Sequence, residues 1–554
     1  MENSLKKHFQ RSFSLMIACC IGTASSLLFV LPVYAQKAER PNIVLVLVDD
    51  LGFSDTGPYG ALDLETPNLD KLAGEGIRLK EFYNNSICAP TRASLLTGQY
   101  QHKAGMGYFN VNLGLPAYQG FLNKESLTLA EVLRSGGYST LMSGKWHVGD
   151  DKDQWPNQRG FDQFFGFIGG ASNYYELEAK EKAQVPLMLN NEPFYLEPGK
   201  YLTDEITGHA LDFLTAQNQT KKPFFLYLAY NAPHWPLQAL PEDIAKYKGR
   251  YKLGWDSLRT IRFKNAVEKG LIDPGQKIAV ADKLLKPWNK LTYDEQQYWQ
   301  LRQEVYAAMI DHVDQGIGKL LEKLKELKKD KNTLIVFISD NGSQGGNGLR
   351  LYTQRTTGPV GSAGSYEVQN SNWSQTGNSP LRSYKDSPYE GGISAPFIAW
   401  YPGKINANTI AQGTAHLIDL APTFYQLAGI TYPAQFQNTK TNALAGKSLV
   451  PLLTGQVNRV DRAEPLFWER SGKKAVRDGK WKLVSLAGAD AKYELYDLEA
   501  DRAENTDLAA QYPEVVERLK SAYTVWASKN DVVDYEKLRP LPAAGVQPGS
   551  RRTN

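Results

Sequence analysis

Four apolar runs in the chain are each closed by polar residues. The runs are short, continuous and rich in β-branched or aromatic residues, which is typical of strands buried on both faces of a sheet. Two of them end in aspartate or asparagine, and the other two end in lysine or histidine. They cover residues 42–50, 137–147, 223–234 and 332–342.

Helical patterns lie between these runs. Residues 126–137 begin at a serine that can cap a helix and end at two glycines, and residues 304–327 carry an amphipathic helical repeat. Strands that alternate with helices predict an α/β fold with a large, mostly parallel sheet flanked by helices. Ligands of such sheets bind beyond the carboxyl ends of the strands, where all four polar groups fall.

Residues 180–200 and 240–300 are rich in aromatic and polar residues but have little periodicity. We interpret them as long loops or insertions that shape a substrate pocket. Aromatic residues such as Tyr174, Trp235 and Trp255 would then cover either a phenyl ring or the face of a sugar.

The pattern changes again after residue 455. Short strands around glycine turns are followed by a helical pattern over residues 513–529. The sequence therefore predicts a catalytic unit over 36–455, a smaller C-terminal α+β subdomain over 456–537, and a disordered tail over 538–554.

Residues 1–35 have the pattern of an export signal, with basic residues, an apolar run and small residues that end at Ala35. An uncleaved membrane anchor and a lipoprotein attached at Cys19 are the alternatives. We expect an exported protein, secreted or located in a bacterial periplasm. Once the signal is cleaved, no stable insertion in the membrane is expected, since no later apolar run reaches the roughly 20 residues that a span needs.

The composition excludes one class of partner. Of the 554 residues, 42% are hydrophobic and 22% are charged, which is ordinary for a globular protein. The formal net charge is +4, and residues 1–35 hold three basic residues against one acidic residue, which leaves about +2 for the rest. Without a basic stripe, no nucleic-acid partner is expected.

Cys88 is the one cysteine outside the predicted signal, which contains Cys19 and Cys20. An exported chain with a single cysteine has no internal disulfide to form. Cys88 is therefore either an inert buried residue or a residue with a chemical role.

Asp49, Asp50, Asp340 and Asn341 are oxygen donors at the predicted ends of two strands. Three carboxylates and an amide suit a hard divalent cation, and these ligand types allow Ca²⁺ and Mg²⁺ alike. The alternative is that each pair only caps the helix that follows it.

Five basic residues could face the same edge of the sheet and hold an oxyanion, with the histidines moving protons. Each has a structural alternative, because single histidines and lysines often only pack or pair. The five are Arg92, Lys145, His147, His234 and Lys385. We interpret the remaining histidines of the predicted folded region as structural, namely His102, His209, His312 and His416.

The stretch "CAPTRASLLTG", from Cys88 to Gly98, resembles the signature of type I sulfatases, C-x-P-x-R followed by L-L-T-G, at every fixed position. The motifs "GKWH", "APHWP", "SDNG" and "KDSPYEGG" then follow in the same order as in bacterial arylsulfatases of the alkaline phosphatase superfamily. The resemblance extends over about residues 40–500. It implies the sulfatase fold and the hydrolysis of sulfate monoesters.

In that family, a formylglycine-generating enzyme oxidises the signature cysteine to formylglycine (3-oxoalanine) during export. The resemblance implies that the aldehyde is hydrated and that one of its oxygens attacks sulfur to form a covalent sulfate ester. The second oxygen then expels sulfate by cleavage of a carbon–oxygen bond. A serine alcohol could not do this, because it lacks the second hydroxyl.

The resemblance also implies a role for each site residue. Asp49, Asp50, Asp340, Asn341 and an oxygen on residue 88 would bind Ca²⁺, and the preference over Mg²⁺ depends on the family alone.

The basic residues would act on the hydrate and on the ester. Arg92 would hold the hydrate, and Lys145 and Lys385 would bind sulfate oxygens. His234 would protonate the leaving oxygen, with help from Lys385, and His147 would accept the proton of the remaining hydroxyl.

Three alternatives remain beside this reading. A phosphodiesterase or phosphonate monoester hydrolase of the same superfamily would be expected to have more histidine and aspartate ligands where this chain has Asn341. An inactive binding protein with the fold would be expected to lack a site residue. A thiol enzyme would leave the four oxygen donors unexplained. For a sulfatase, the substrate stays open between aryl sulfates and sulfated carbohydrates.

Overall fold

The structure is a computed structural model of the chain. It describes residues 39–175, 187–282, 286–345, 353–488 and 491–538. The predicted export signal, with Cys19 and Cys20, lies outside the described residues, and so does the predicted tail beyond Leu538. The predicted domain boundaries stay predictions.

The four predicted strands form the centre of an eleven-stranded sheet. β1 (Asn42–Val48) pairs with β8 (Thr333–Ser339) on one side and with β7 (Phe224–Ala229) on the other, and β3 (Ser139–Lys145) lies beyond β7. All of these pairs are parallel. Every residue of β1 is buried, as its continuous apolar run predicts. The predicted α/β fold with a mostly parallel sheet is therefore confirmed.

The outer strands were not singled out in the sequence, and one of them is reversed. β9 (Phe397–Trp400) runs antiparallel to β8 and also to β2 (Ile77–Tyr83). The amino end of β9 therefore lies at the same edge as the carboxyl ends of β2 and β8. The other outer strands are β4 (Gln163–Phe167), β5 (Leu187–Leu189), β6 (Glu192–Phe194), β10 (Thr409–His416) and β13 (Arg459–Val460).

Alternate residues of β1 belong to two different apolar cores, which shows that both faces of the sheet are covered. The core that contains Ile43 packs against the helices Cys88–Thr97, Leu129–Ser135 and Leu420–Ala428. The core that contains Val44 packs against the helices Pro67–Gly74, Leu202–Gln217 and Tyr293–Glu326.

Much of the segment 240–300 is helical, so of the two interpretations the long loops are wrong for it, and the insertion stays a prediction. Its helices are Pro241–Tyr247, Gly254–Glu268 and the start of Tyr293–Glu326. The helix Gly254–Glu268 buries Arg259 and Arg262, so the residues on its inner face do not show as an apolar repeat in the sequence.

The C-terminal region contains a separate antiparallel sheet, which confirms the predicted smaller α+β unit. Its strands are β14 (Leu466–Arg470), β15 (Lys473–Asp478), β16 (Trp481–Ser485) and β17 (Tyr493–Asp497). The helix Pro513–Lys529 packs on this sheet through Leu519, Tyr523 and Trp526.

The remaining elements are short. Among the described residues they are the hairpin β11 (Gln435–Phe436) and β12 (Thr439–Lys440), and the helices Ser371–Gly377, Glu390–Ile393, Val450–Leu453 and Tyr535–Leu538. Short 3-10 helices are Gly57–Tyr59, Lys152–Gln154, Pro156–Arg159, Trp288–Lys290, Asp330–Asn332 and Leu417–Asp419. Within the described ranges, no helix is both long enough and apolar enough to cross a membrane.

Candidate active site

The carboxyl ends of β1 and β8 bring the four predicted oxygen donors together. Asp49 and Asp50 follow β1, and Asp340 and Asn341 follow β8. The backbone N–H of Asp50 donates to Oδ1 of Asp340 at 3.1 Å, and Nδ2 of Asn341 donates to Oδ1 of Asp50 at 2.6 Å. All four side chains are buried, so the predicted ligands form one cluster inside the protein.

Lys145 and Arg92 approach this cluster from β3 and from the helix Cys88–Thr97. Nζ of Lys145 donates to Oδ2 of Asp49 at 2.5 Å. Nη2 of Arg92 donates to Oδ2 of Asp340 at 3.1 Å and lies 3.4 Å from Oδ2 of Asp49. Two cations therefore neutralise these two carboxylates without any contact with solvent.

Lys385 and His234 surround the second aspartate. Nζ of Lys385 donates to both carboxylate oxygens of Asp50, at 2.7 and 2.9 Å. Nε2 of His234 lies 3.7 Å from Oδ2 of Asp50, and Nδ1 of the same ring lies 2.7 Å from the carbonyl oxygen of Trp235. Because a carbonyl can only accept, Nδ1 of His234 carries a proton, and Nε2 is the nitrogen that faces the cluster.

Cys88 is the first residue of its helix and is a free, buried cysteine. Arg92 lies one turn later on the same helix, which places both side chains on one face. Oγ1 of Thr91 donates to the carbonyl of Asp340 at 2.7 Å, and Nη1 of Arg92 donates to the carbonyl of Lys145 at 3.0 Å. The start of the helix is thereby tied to the ends of β8 and β3.

His147 has an unusual backbone conformation, with φ of 60°. Its N–H donates to the carbonyl of Ile168 at 2.9 Å. A Cβ on Gly170 would lie 2.6 Å from Nε2 of His147, so the position of the ring requires glycine there. Burial, followed by the charges of Lys145 and Arg92, lowers the pKa of His147 well below its ordinary value. The ring is therefore neutral, and it would accept a proton only where a nearby negative charge offsets these effects.

The pKa values of Asp49 and Asp340 are shifted in opposite directions. Burial would raise the pKa of Asp49, but the charges of Lys145 and His234 outweigh it and hold that pKa well below its usual range. Burial and then the charge of Asp49 raise the pKa of Asp340 to about 8. Burial raises the pKa of the Cys88 thiol as well, which disfavours a thiolate and therefore weakens the case for a thiol enzyme.

Two oxygens of the cluster have no protein partner. Among the described residues, Oδ1 of Asp49 and Oδ1 of Asn341 are buried and accept no hydrogen bond. Asp49, Asp50 and His234 offer ligand atoms within 4.8 Å of one another. Unpaired carboxylate and amide oxygens are the ligands that hard cations take, so the residues fit a divalent cation. The sequence had associated His234 with proton transfer only.

Two of the three aromatic residues predicted to line a pocket are core residues. The hydroxyl of Tyr174 is buried and donates to the carbonyls of Asn231 and His234, both at 2.8 Å. Trp255 is 3% exposed and packs against two other tryptophans. Trp235 is partly buried beside the ring of His234. Tyr174 thus supports the segment that carries His234, which no pattern in the sequence indicated.

Tyr306 is a second supporting residue that sequence reasoning missed. Its hydroxyl lies 3.1 Å from the carbonyl of Asp50 and 2.9 Å from Oδ2 of Asp55. The signal available in the sequence was a tyrosine on the buried face of the long amphipathic helix, where a hydroxyl needs a partner.

The histidines interpreted as structural have partners of their own. His102 lies 2.8 Å from Glu469, and His312 lies 2.7 Å from Asp243 and 3.2 Å from Asp204. The other two do not join the cluster either: His209 stacks on Phe165, and His416 accepts the N–H of Ile418.

Comparison with known proteins identifies matching family models, proteins with similar sequences and structures with a similar fold. The family model for Sulfatase matches residues 41–430, and the model for the C-terminal part of N-sulphoglucosamine sulphohydrolase matches residues 384–528. An uncharacterized sulfatase of Schizosaccharomyces pombe is 34% identical, with 90% of this chain and 95% of that protein covered. An arylsulfatase of Klebsiella aerogenes is 32% identical, with 80% of this chain and 97% of that protein covered. The crystal structure of Ps i-CgsB in complex with k-i-k-neocarrahexaose has a TM-score of 0.67 at 28% identity, with 89% of this chain and 94% of that chain covered.

Proposed function

This chain belongs to the sulfatase family and is a sulfuric ester hydrolase, and from that premise we propose that it cleaves sulfate monoesters with formylglycine at residue 88 and a bound divalent cation. The observation that carries the proposal is the buried cluster at the ends of β1, β3 and β8. It combines unpaired oxygen ligands, two lysines and an arginine around the helix that begins at Cys88.

The cation would be held by Asp49, Asp50, Asp340 and Asn341, together with an oxygen of residue 88. When bound, it would offset the charge of the carboxylates and polarise a sulfate oxygen. The donor set accepts Ca²⁺ or Mg²⁺, and we propose Ca²⁺ on the strength of the family resemblance.

Residue 88, as a formylglycine hydrate, would supply one hydroxyl for the attack on sulfur and a second hydroxyl for the release of sulfate. Arg92 supports this role, because it lies one turn away on the same helix and would hold the hydrate. Lys145 and Lys385 would bind sulfate oxygens. Their ammonium groups now pair with Asp49 and Asp50, which a cation would neutralise instead.

The two histidines would move the protons. His234 would donate a proton from Nε2 to the leaving oxygen, because Nδ1 is engaged with the carbonyl of Trp235. This requires the doubly protonated ring, which burial disfavours in the free protein and which the negative charge of a bound sulfate ester would favour. Lys385, which lies across Asp50 from this ring, would assist it. His147 would accept the proton of the remaining hydroxyl, which its neutral state allows.

The proposed substrates are aryl sulfates and sulfated carbohydrates. The arylsulfatase relative supports the first class, and the k-i-k-neocarrahexaose in the complex of Ps i-CgsB supports the second. A formylglycine-generating enzyme would be the partner during maturation, and export would require the predicted signal over residues 1–35.

Peptide mass spectrometry on the protein from its own host tests the proposal. The tryptic peptide "EFYNNSICAPTR", residues 81–92, isolates the site. We expect residue 88 to appear as an aldehyde or its hydrate. An active preparation in which residue 88 is found only as a thiol would contradict the formylglycine mechanism.

A further inference from the structure

Lys385 lies in a closed segment of residues 382–392, here called the lysine loop. The loop closes on itself because the N–H of Gly391 donates to the carbonyl of Arg382 at 2.7 Å. A Cβ on Gly391 would lie 2.5 Å from that carbonyl oxygen, so the closure requires glycine. Asp386, next to Lys385, has φ of 65°. A backbone held in this region must be stabilised by its surroundings.

Lys482 of β16 provides an inner anchor for the lysine loop. Its Nζ lies 2.9 Å from Oε1 of Glu390, inside the loop, and 2.8 Å from Oε1 of Glu504. Oε2 of Glu504 accepts the backbone N–H of Glu390 at 2.7 Å, and the hydroxyl of Tyr83 donates to Oε2 of Glu390 at 2.7 Å. The three charged side chains have no exposed surface. Nε of Arg502 is a second, more distant cation, 3.5 Å from Oε2 of Glu390. Because buried charges must stay paired, Lys482, as the closer partner, contributes most to the position of Glu390.

Lys473 of β15 provides an outer anchor. Its Nζ donates to the carbonyl oxygen of Asp386 at 2.5 Å and to Oδ2 of Asp386 at 2.8 Å. The N–H of Asp386 in turn donates to the carbonyl of Ser86 at 2.7 Å, two residues before Cys88. The outer anchor therefore connects the C-terminal sheet to the segments of both Lys385 and Cys88.

The lysine loop has little room to move against the rest of the site. The N–H of Gly342, which follows Asn341, donates to the carbonyl of Gly392 at 3.2 Å. A Cβ on Gly342 would lie only 1.8 Å from the carbonyl oxygen of Gly391. A displacement of Glu390 would thus be transmitted through this tight contact and through the closed backbone to Lys385.

From these contacts we propose that Lys482 and Lys473 are positioning residues, which hold the ammonium group of Lys385 where it can bind a sulfate oxygen. Neither residue touches the reacting atoms. The C-terminal sheet then serves the chemistry of the main sheet, through Glu390 and Asp386. This inference depends on the sulfate-binding role proposed above for Lys385.

A double-mutant cycle tests the inference, with kcat/KM for an aryl sulfate as the measurement. Lys473→Met and Lys482→Met are made alone and together with Lys385→Ala. With Lys385 present, we expect kcat/KM to fall about 5-fold for the partly buried outer anchor and about 50-fold for the fully buried inner anchor. In the Lys385→Ala background, neither substitution should lower kcat/KM further (a change of about 1-fold), because the group that the two anchors position is gone.

Lys474→Met is the matched control, since Lys474 is the next residue of β15 and its ammonium lies over the ring of Tyr523 instead. It should keep wild-type activity, and Lys473→Arg should restore most of the activity lost in Lys473→Met. If Lys482→Met does not fold, Glu390→Gln takes its place, because it keeps the shape of the side chain.

Two results overturn the inference, and they are distinguishable. Equal losses with and without Lys385 mean that the anchors act on general stability, while the proposed role of Lys385 stands. Unchanged turnover of Lys385→Ala itself refutes that role, and the positioning inference fails with it.

Discussion

His234 and His312 both lie among carboxylates, yet the protein shifts their pKa values in opposite directions. His312 makes close contacts with Asp243 and Asp204, and although burial opposes it, these contacts raise its pKa to about 9. Nε2 of His234 is 3.7 Å from Asp50, and burial lowers its pKa to about 4.

The difference lies in how completely each cluster is paired. In the cluster around His312, Gln315 and Lys246 also contact Asp243, and Nζ of Lys319 donates to Oδ1 of Asp204 at 2.9 Å. The cluster around His234 leaves oxygens of Asp49 and Asn341 without a hydrogen-bond partner among the residues that the structure describes. A cluster with complete pairing stabilises the fold, whereas one with unpaired buried ligands is suited to bind a cation and an anionic substrate.

The largest expected effect comes from the nucleophile. Cys88→Ala should lower turnover of an aryl sulfate at least about a thousandfold, because the proposed nucleophile, a formylglycine hydrate at residue 88, could not form from alanine. The thermal midpoint should change little, since only one small side chain is shortened at the start of a helix. Activity assays and circular dichroism melts check this, and full activity of the variant would exclude the covalent mechanism.

Removal of a proposed cation ligand should rank next. Asp340→Ala should lower activity about a hundredfold and should remove the bound metal at the same time, measured by elemental analysis. Asp243→Asn, in the fully paired cluster, is the control and should leave metal content unchanged. Unaltered metal content in Asp340→Ala would reject Asp340 as a ligand.

His234→Ala should distinguish substrates by their leaving groups. Esters with poor leaving groups need the proton, so their kcat/KM should fall about a hundredfold. For esters with good leaving groups, kcat/KM should fall about tenfold or less. A series of substituted phenyl sulfates measures this dependence. An equal loss across the series would argue against proton donation by His234.

The smallest effect concerns stability and pH. The pKa of His312 is raised to about 9, above its ordinary value of 6.5, so the stabilising charge is fully present below pH 6.5 and is lost as the pH rises through 9. The wild type should have a higher free energy of unfolding than His312→Asn, and this difference should be about 2 kcal/mol larger at pH 6 than at pH 10. Urea unfolding at both pH values measures this, and a pH-independent difference would refute the charged pairing.

Central strands and the polar residues that follow them could be predicted, because a strand buried on both faces must be continuously apolar. Asp49, Asp340 and Lys145 could be singled out since they interrupt such runs. The helix Gly254–Glu268 could not, because its buried face carries arginines whose partners come from distant segments.

The supporting contacts of the site were equally invisible in the sequence. Tyr174 approaches His234 across 60 residues, and Lys482 approaches Glu390 across 92. Neither spacing follows a helical or strand repeat, so no local pattern connects the partners.

By itself, the amino-acid sequence determined which residues are the candidates for the chemistry, because a rare motif around Cys88 and the polar ends of apolar runs depend on residue type and order. Only the tertiary structure decided how these residues are charged, supported and paired. Burial, the reversed strand β9 and the packing of the C-terminal sheet against the lysine loop set those properties. They arise from contacts between segments that are far apart in the chain, where the physical interaction depends on distance in space.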